Sequence, residues 1–201
     1  MTGTMDDIGR VKLVQVQRSG LKVSDGSSRI YNPAPLCVVD RLILTAEGVI
    51  GLLTSGENIL DVHHVTHPQS RNADVNGVSI GFTRHYVEMR ERFGDHLSDG
   101  IAGENIIVEA EKYFNLPDLG YRLAIQNHTT GTLYYLTSIM VAEPCVEFSH
   151  FALNQPDPPS PAQIKDTLQY LSGGRRGFYV SLDPEHDRAS VDAGDKVFVI
   201  H

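Results

Sequence analysis

The spacing of hydrophobic residues predicts mostly strands. Apolar and polar side chains alternate over residues 121–126, and after a turn at 127–131 a second strand is expected over residues 132–141. This pattern is typical of a half-buried β-hairpin. Shorter strand candidates rich in Val, Ile and Leu lie at residues 11–17, 36–44, 48–53, 105–108, 177–182 and 196–200.

Two segments instead have helical spacing. The first carries apolar side chains on one helix face at Tyr86, Met89, Phe93 and Leu97. The second begins with Ser160, Pro161 and Gln163 in the positions of a capping box and is stopped by the glycine pair at 173–174. Its apolar face is formed by Ile164, Leu168 and Leu171.

Polar segments separate these elements. Residues 18–28 indicate a loop, residues 54–79 form a long polar stretch with little periodicity, and residues 154–161 contain four prolines. Strands and helices do not alternate, which disfavours a doubly wound α/β fold. We therefore expect a mainly β protein, a β-barrel with a few covering helices. One domain over residues 1–201 fits the length, with residues 1–10 as a flexible tail.

Charge and composition exclude several classes of function. The chain has 17 Lys and Arg against 25 Asp and Glu, a net charge of −8, which argues against nucleic acid as a partner. No apolar run is long enough to span a bilayer, and residues 1–12 lack the apolar core of a signal peptide. We expect a cytoplasmic protein with no membrane partner, in which Cys37 and Cys145 are reduced thiols.

The two cysteines have different surroundings in the sequence. Cys37 lies between Leu36 and Val38 and is expected to be a small buried apolar residue. Cys145 follows Pro144 after a strand, and can be either a buried residue of that kind or a reactive thiolate. Reactivity would require a cationic or helix-end neighbour.

Three other groups could carry chemistry. Gly100 and Gly103 allow an unusual backbone path into Glu104 and Asn105 at the start of a strand. The polar stretch contains His63, His64 and His67. If this stretch were a helix, His63 and His67 would lie on one face and could bind a metal ion together. The proline that follows, Pro68, instead favours a loop that faces solvent or an anion, and Arg71 could bind the same anion. Arg175 and Arg176, between glycines after the second helix, either cap its carbonyls or bind a phosphate or carboxylate.

Taken in order, these pieces resemble the MOSC family, the domain found at the C-terminus of molybdenum-cofactor sulfurases and as free-standing bacterial proteins. The resemblance covers roughly residues 36–200. It rests on five motifs: Glu47-Gly-Val-Ile-Gly51, His85-Tyr86, Gly103-Glu-Asn-Ile106, Pro144-Cys145, and Gly174-Arg-Arg-Gly-Phe-Tyr179 followed by Ala193-Gly-Asp195.

The resemblance implies a fold, a cofactor and a set of site residues. The fold is a β-barrel of the pyruvate-kinase type, and the cofactor is the molybdenum cofactor, molybdopterin. Cys145 would be the molybdenum ligand and catalytic residue, since molybdenum binds soft sulfur. The remaining cofactor-binding candidates are Gly103, Glu104, Asn105, Arg175, Arg176, Arg71, His64, His67 and His85.

The sequence leaves several functions open. The first is a component of the oxidoreduction of N-oxygenated compounds, acting with a reductase. The second is a sulfur carrier with a persulfide on Cys145, supplied by a cysteine desulfurase. A cysteine hydrolase using Cys145 and His150 is disfavoured, because neighbours in sequence seldom have that geometry. The last possible function is that of a barrel with a degenerate pocket that only binds a partner.

Overall fold

The structure is a computed structural model that describes residues 4–26, 28–70 and 77–201. The strands in this part of the chain are β1 (Met5–Gln17), β2 (Lys22–Asp25), β3 (Ser28–Tyr31), β4 (Leu36–Val38), β5 (Arg41–Thr45), β6 (Gly48–Leu52), β7 (Asn58–Leu60), β8 (Val78–Phe82), β9 (Ile106–Glu109), β10 (Arg122–Gln126), β11 (Leu133–Val141), β12 (Phe178–Leu182), β13 (Arg188–Asp192) and β14 (Lys196–Ile200). The helices are α1 (Thr83–Phe93), α2 (Val146–Leu153) and α3 (Pro161–Leu171), with a short 3₁₀ helix at Leu116–Leu119.

Seven strands close into a β-barrel. Their order is β14-β10-β11-β12-β8-β9-β1, and β1 also pairs with β14, which completes the ring. Every pair in the ring is antiparallel except β8 and β9, which are parallel and are connected through α1. The mainly β fold, with a barrel and a few helices, is thus confirmed.

The barrel is filled by apolar side chains at two-residue spacing. Leu123 and Ile125 on β10 are fully buried, and so is Val197 on β14. Alternate residues of a barrel strand face inward, so this spacing places one face of each strand in the interior. The same buried cluster continues into the second sheet, β13-β5-β6-β7, through Leu42 and Leu44.

A second apolar cluster lies between the helices and one outer face of the barrel. It contains Tyr86 and Met89 of α1, Phe148 of α2, Leu171 of α3 and Tyr31 of β3. The hairpin β2–β3 packs against α2 through this cluster. These contacts fix the position of the residue that immediately precedes α2, which is Cys145.

The hairpin of β10 and β11 and the helix α3 have the positions that the sequence predicts, while other elements differ. Residues 18–28, expected to be a loop, contain β2 and lead into β3. The long polar stretch contains β7 and enters β8, whose five residues are all buried and therefore show no alternation. Helix α2 was not predicted, because an eight-residue apolar segment lacks a clear period. Residues 5–10, expected in a flexible tail, lie in β1 and pair with β14.

The start of α3 allows a direct test of local stability. Ser160 Oγ accepts a hydrogen bond from the Gln163 backbone N–H at 3.3 Å, and Gln163 Oε1 accepts one from the Ser160 N–H at 2.8 Å. We expect Ser160→Ala to lower the free energy of unfolding by about 1 kcal/mol, measured by urea denaturation. Ser98, an exposed serine outside the helix, is the control position, and equal effects at the two serines would contradict the role of the cap.

Candidate functional site

A cleft of about 880 Å³ lies where the β2–β3 hairpin meets the ends of β1, β11 and β12. Its walls also include the loop before β9 and the turn before α2. Among the residues that line it are Gly103, Glu104, Cys145 and Arg176. The fold thus brings together four residues that lie up to 73 positions apart in the sequence.

Cys145 stands at the N-terminus of α2. Its backbone is extended (φ −123°, ψ 161°), and its carbonyl accepts the first helical hydrogen bond, from Ser149 N–H at 3.0 Å. Its side chain is half-buried, and the thiol lies beside the carboxyl group of Glu147. Burial opposes ionisation of Glu147, but its own backbone N–H, Lys22 and Cys145 together hold its pKa below the ordinary value.

Glu147 also ties the hairpin to α2. Its carboxylate lies 3.5 Å from Lys22 Nζ and 3.9 Å from Arg29 Nε. Both cations belong to the β2–β3 hairpin, and both line the cleft. One wall beside Cys145 therefore carries two positive side chains that share a single acidic partner.

Arg176 connects three parts of the cleft. Its guanidinium donates to the carbonyls of Glu143 at 2.9 Å and Ala102 at 3.2 Å, and lies 5.3 Å from the centre of the Phe148 ring. Its Nε is buried and has no hydrogen-bond partner among the described residues. Glu104 is near enough for its charge to interact with that of Arg176, and the guanidinium can also attract an anion to this cleft.

Glu104 is a buried acid at the base of the cleft. Its side chain is 3% exposed, and Tyr86 Oη donates to Oε2 at 2.7 Å. Oε1 has no hydrogen-bond partner in the described part of the chain. Burial, opposed by the Tyr86 hydrogen bond, raises the pKa of Glu104 to about 7. Near neutral pH this carboxyl group is therefore present in both protonated and ionised forms.

The glycine before Glu104 is required by the close packing of β1. Gly103 has φ +101°, and its carbonyl accepts a hydrogen bond from Gln17 Nε2 at 2.7 Å. A Cβ at this position would lie 2.8 Å from both Gln17 Nε2 and Leu21 Cδ1. The expected unusual backbone path at Gly103 is thus present, and it brings the loop against the cleft wall.

A histidine and a buried carboxylate form a pair beside these groups. His63 lines the cleft, and its Nδ1 lies 2.9 Å from Asp61 Oδ1. Asp61 is fully buried and also accepts hydrogen bonds from the backbone N–H groups of Gln17 and His63 and from Asn105 Nδ2. The carboxylate therefore fixes the orientation of the His63 ring.

The described residues contain no cluster of three or more His, Cys, Asp or Glu side chains able to hold a metal ion. A larger cleft of about 1020 Å³, near the start of β1 and the end of β14, contains neither cysteine nor arginine from the predicted set. The smaller cleft is therefore the candidate site. No helix in the described ranges has the length and apolar character needed to cross a membrane.

Comparison with known proteins shows which fold this is. No protein-family model matches the chain, and no curated protein sequence matches it. The structure is similar to that of the YuaD protein from Bacillus subtilis, with a TM-score of 0.54, 15% identity, and coverage of 96% of this chain and 98% of that one. It is also similar to YiiM from Geobacillus stearothermophilus, with a TM-score of 0.50, 14% identity, and coverage of 98% and 75%.

This chain therefore shares the fold of YuaD and YiiM. A third structure, of a hypothetical protein, gives a TM-score of 0.52 at 13% identity, covering 96% of this chain and 70% of that one. At these sequence identities the likeness concerns the fold alone. What the cleft can bind therefore depends on the residues that line it.

The fold places three of the predicted cofactor contacts away from the cleft. Asn105 is buried between strands, where its side chain accepts hydrogen bonds from Ser79 and donates to Asp61. Arg175 lies against the ring of Tyr170 at 4.1 Å and hydrogen-bonds the Tyr170 carbonyl. His85 is 1% exposed in the core, where burial lowers its pKa to about 4.

Two predicted histidines also have structural roles, and one arginine is not described. His64 is 3% exposed and its Nδ1 hydrogen-bonds Thr66, while His67 Nδ1 accepts a hydrogen bond from the Gln69 backbone. Neither lines the cleft. Arg71 lies outside the described residues. The histidine at the cleft is His63, which the sequence analysis considered only as a possible metal ligand together with His67.

Proposed function

We propose that this chain is a molybdenum-cofactor-binding protein of the MOSC type and a component of the oxidoreduction of N-oxygenated compounds. Cys145 is the molybdenum ligand. One observation carries the proposal: a single cleft contains the thiol of Cys145, the guanidinium of Arg176 and the Gly103–Glu104 loop. The resemblance in sequence and the MOSC-type fold support the same assignment.

The residues of the cleft fit the cofactor. Its volume of about 880 Å³ lies in the range of small-molecule sites. A thiolate is the protein ligand that suits molybdenum, while arginine and lysine suit the phosphate of a pterin. Because the described residues provide no three-residue metal group, most of the metal ligands would come from the cofactor.

Each residue then has a defined task. Cys145 would hold the metal, and Arg176, with Lys22 and Arg29 at the wall, would attract the anionic part of the cofactor. Glu104, with its pKa raised to about 7, can hold or release a proton near the cleft floor. The cofactor supplies the redox-active metal when bound, and a reductase partner would supply electrons.

The half-buried state of Cys145 also suits a second function. A thiol that reaches a cleft can carry a sulfane sulfur as a persulfide, which a cysteine desulfurase partner would load. In that case the chain would be a sulfur carrier with no metal of its own. A barrel that only binds a partner would require neither metal nor persulfide.

Cys145→Ser, compared with Cys37→Ser, separates these functions. Cys37 is the matched control, since it is equally half-buried but lies on β4, where the Arg18 guanidinium contacts its sulfur at 3.1 Å. We expect wild type and Cys37→Ser, expressed in cells that make the cofactor, to contain molybdenum and pterin. We expect Cys145→Ser to lose most of the molybdenum, as measured by mass spectrometry of the metal.

Two outcomes would contradict the proposal. Molybdenum that is absent from the wild type, together with a persulfide on Cys145, would favour the sulfur carrier. Molybdenum that is retained in Cys145→Ser would remove Cys145 from the metal site.

A further inference from the structure

One edge of β1 has no neighbouring strand at the start of the chain. At Arg10, β1 lies between two strands, since Arg10 is paired with Lys196 of β14 and with Glu109, the last residue of β9. Residues 5–7 are paired with β14 on one side only, and no strand in the described ranges lies on their other side. We call this side of residues 5–7 the open edge of β1.

The backbone groups at the open edge are available for hydrogen bonding. The N–H of His201 donates to the carbonyl of Thr4 at 3.2 Å, so the backbone groups of Thr4 face β14. Backbone groups alternate in direction along an antiparallel strand, which turns those of Met5 and Asp7 toward the open edge. Both residues are exposed. An exposed sheet edge of this kind can pair with a strand of another chain.

The open edge borders the larger cleft, of about 1020 Å³. Beyond Glu109 the chain leaves β1 and forms the opposite wall, which includes the rings of Tyr113 and Phe114. Gly9 allows the end of β9 to come this close, because a Cβ at Gly9 would overlap the carbonyl oxygen of Glu109. The free backbone groups of β1 therefore face a groove that is long enough to be lined by both segments.

The groove is acidic, and two of its carboxylates are unpaired. Asp6 and Asp7 on β1 already lie near cationic side chains, at 3.3 and 3.6 Å. Glu109 and Glu111 on the opposite wall are exposed and form no ion pair within the described part of the chain. A cationic ligand would therefore gain two new partners here. The other charged residues that line the groove are Asp118, Arg10, Lys112 and His201.

We propose that the open edge of β1 binds an extended, basic segment of a partner protein, which adds to the barrel sheet as a further strand. The backbone of this segment pairs with Met5 and Asp7, and its Lys or Arg side chains contact Glu109 and Glu111. In strand addition, backbone hydrogen bonds supply affinity and alternate side chains supply specificity. No residue lines both this groove and the Cys145 cleft, so the inference does not depend on the proposed function.

The test uses a ten-residue peptide of alternating lysine and threonine with blocked ends. We expect it to bind the protein in calorimetry and, at saturation, to slow hydrogen exchange of the Met5 and Asp7 amides at least tenfold, as measured by NMR. Glu109→Gln combined with Glu111→Gln should weaken binding about fivefold. Glu57→Gln combined with Glu91→Gln is the matched control, since these exposed acids do not line the groove.

Spermine, a polycation without a peptide backbone, separates strand addition from simple attraction of cations. Spermine that slows exchange of the same two amides as strongly as the peptide would overturn the proposal. No peptide binding at millimolar concentration would also overturn it, as would binding that leaves the Met5 and Asp7 amides unchanged or that both double variants weaken equally. A dimer of this chain that Glu109→Gln with Glu111→Gln dissociates, seen by ultracentrifugation, would make a second copy the occupant and contradict a basic partner.

Discussion

Gly177→Ala should lower the free energy of unfolding by about 4 kcal/mol. Gly177 has φ +97°, a conformation that costs a residue with a Cβ between 1 and 3 kcal/mol by a rough estimate. The added Cβ would also lie 2.7 Å from the backbone oxygen of Ile80 on β8 and 3.1 Å from Glu104 Cγ. Neither the barrel strand nor the buried acid can move away without opening the β12–β8 pair.

Gly173→Ala provides the matched control for this effect. Gly173 also has a positive φ, +72°, but no atom lies within 4 Å of the position that its Cβ would take. We expect this variant to lose only about 1 kcal/mol. Urea denaturation of both variants measures the difference. If the two alanines cost the same, the close approach of Gly177 to β8 does not contribute, and the backbone conformation explains the whole loss.

Glu104→Gln should change how stability depends on pH. Burial raises the pKa of Glu104 from 4.5 to about 7, so between these values the unfolded chain releases the proton and the folded chain keeps it. Folding is thus most favoured below about pH 4.5 and loses about 3 kcal/mol as the pH rises to 7, above which the loss is complete. Glutamine cannot ionise, so this part of the pH dependence disappears.

The measurement is urea denaturation of wild type and Glu104→Gln at pH 5 and pH 8. Gln keeps an oxygen that can accept the Tyr86 hydrogen bond, which makes it the conservative replacement. We expect the stability of the variant relative to the wild type to rise by about 3 kcal/mol between the two pH values. A difference that is independent of pH would show that Glu104 is ionised throughout in the folded protein.

Local patterns predict some elements of this fold well and others poorly. The β10–β11 hairpin was found because side chains alternate over residues 121–126 and a turn follows, and α3 because Ser160 and Gln163 form a complete cap. The strand β8 and helix α2 were missed for the same reason: β8 is buried on both faces, and α2 is apolar on most sides. Neither has the one-sided pattern by which sequence reveals an amphipathic element.

The sequence selected site candidates by their distinctive chemistry, and their roles stay a prediction. Cys145, Arg176, Gly103 and Glu104 meet in one cleft, as the cofactor-binding hypothesis required. The histidines could not be ranked, because their roles depend on which buried groups they face. The signal for His63 was the Asp61-x-His63 spacing, typical of an aspartate that accepts the backbone N–H two residues later.

The closure of the barrel also constrains how the chain reaches its native state. Met5 of β1 is paired with Ile200 of β14, and Arg10 with Lys196. Contacts between residues so distant in sequence are entropically costly and form slowly. During synthesis, β1 has no partner on its β14 side until nearly two hundred residues have been added. We therefore expect the ring to be completed only once β14 has been synthesised, with the exposed edge of β1 as the segment most prone to mispairing before then.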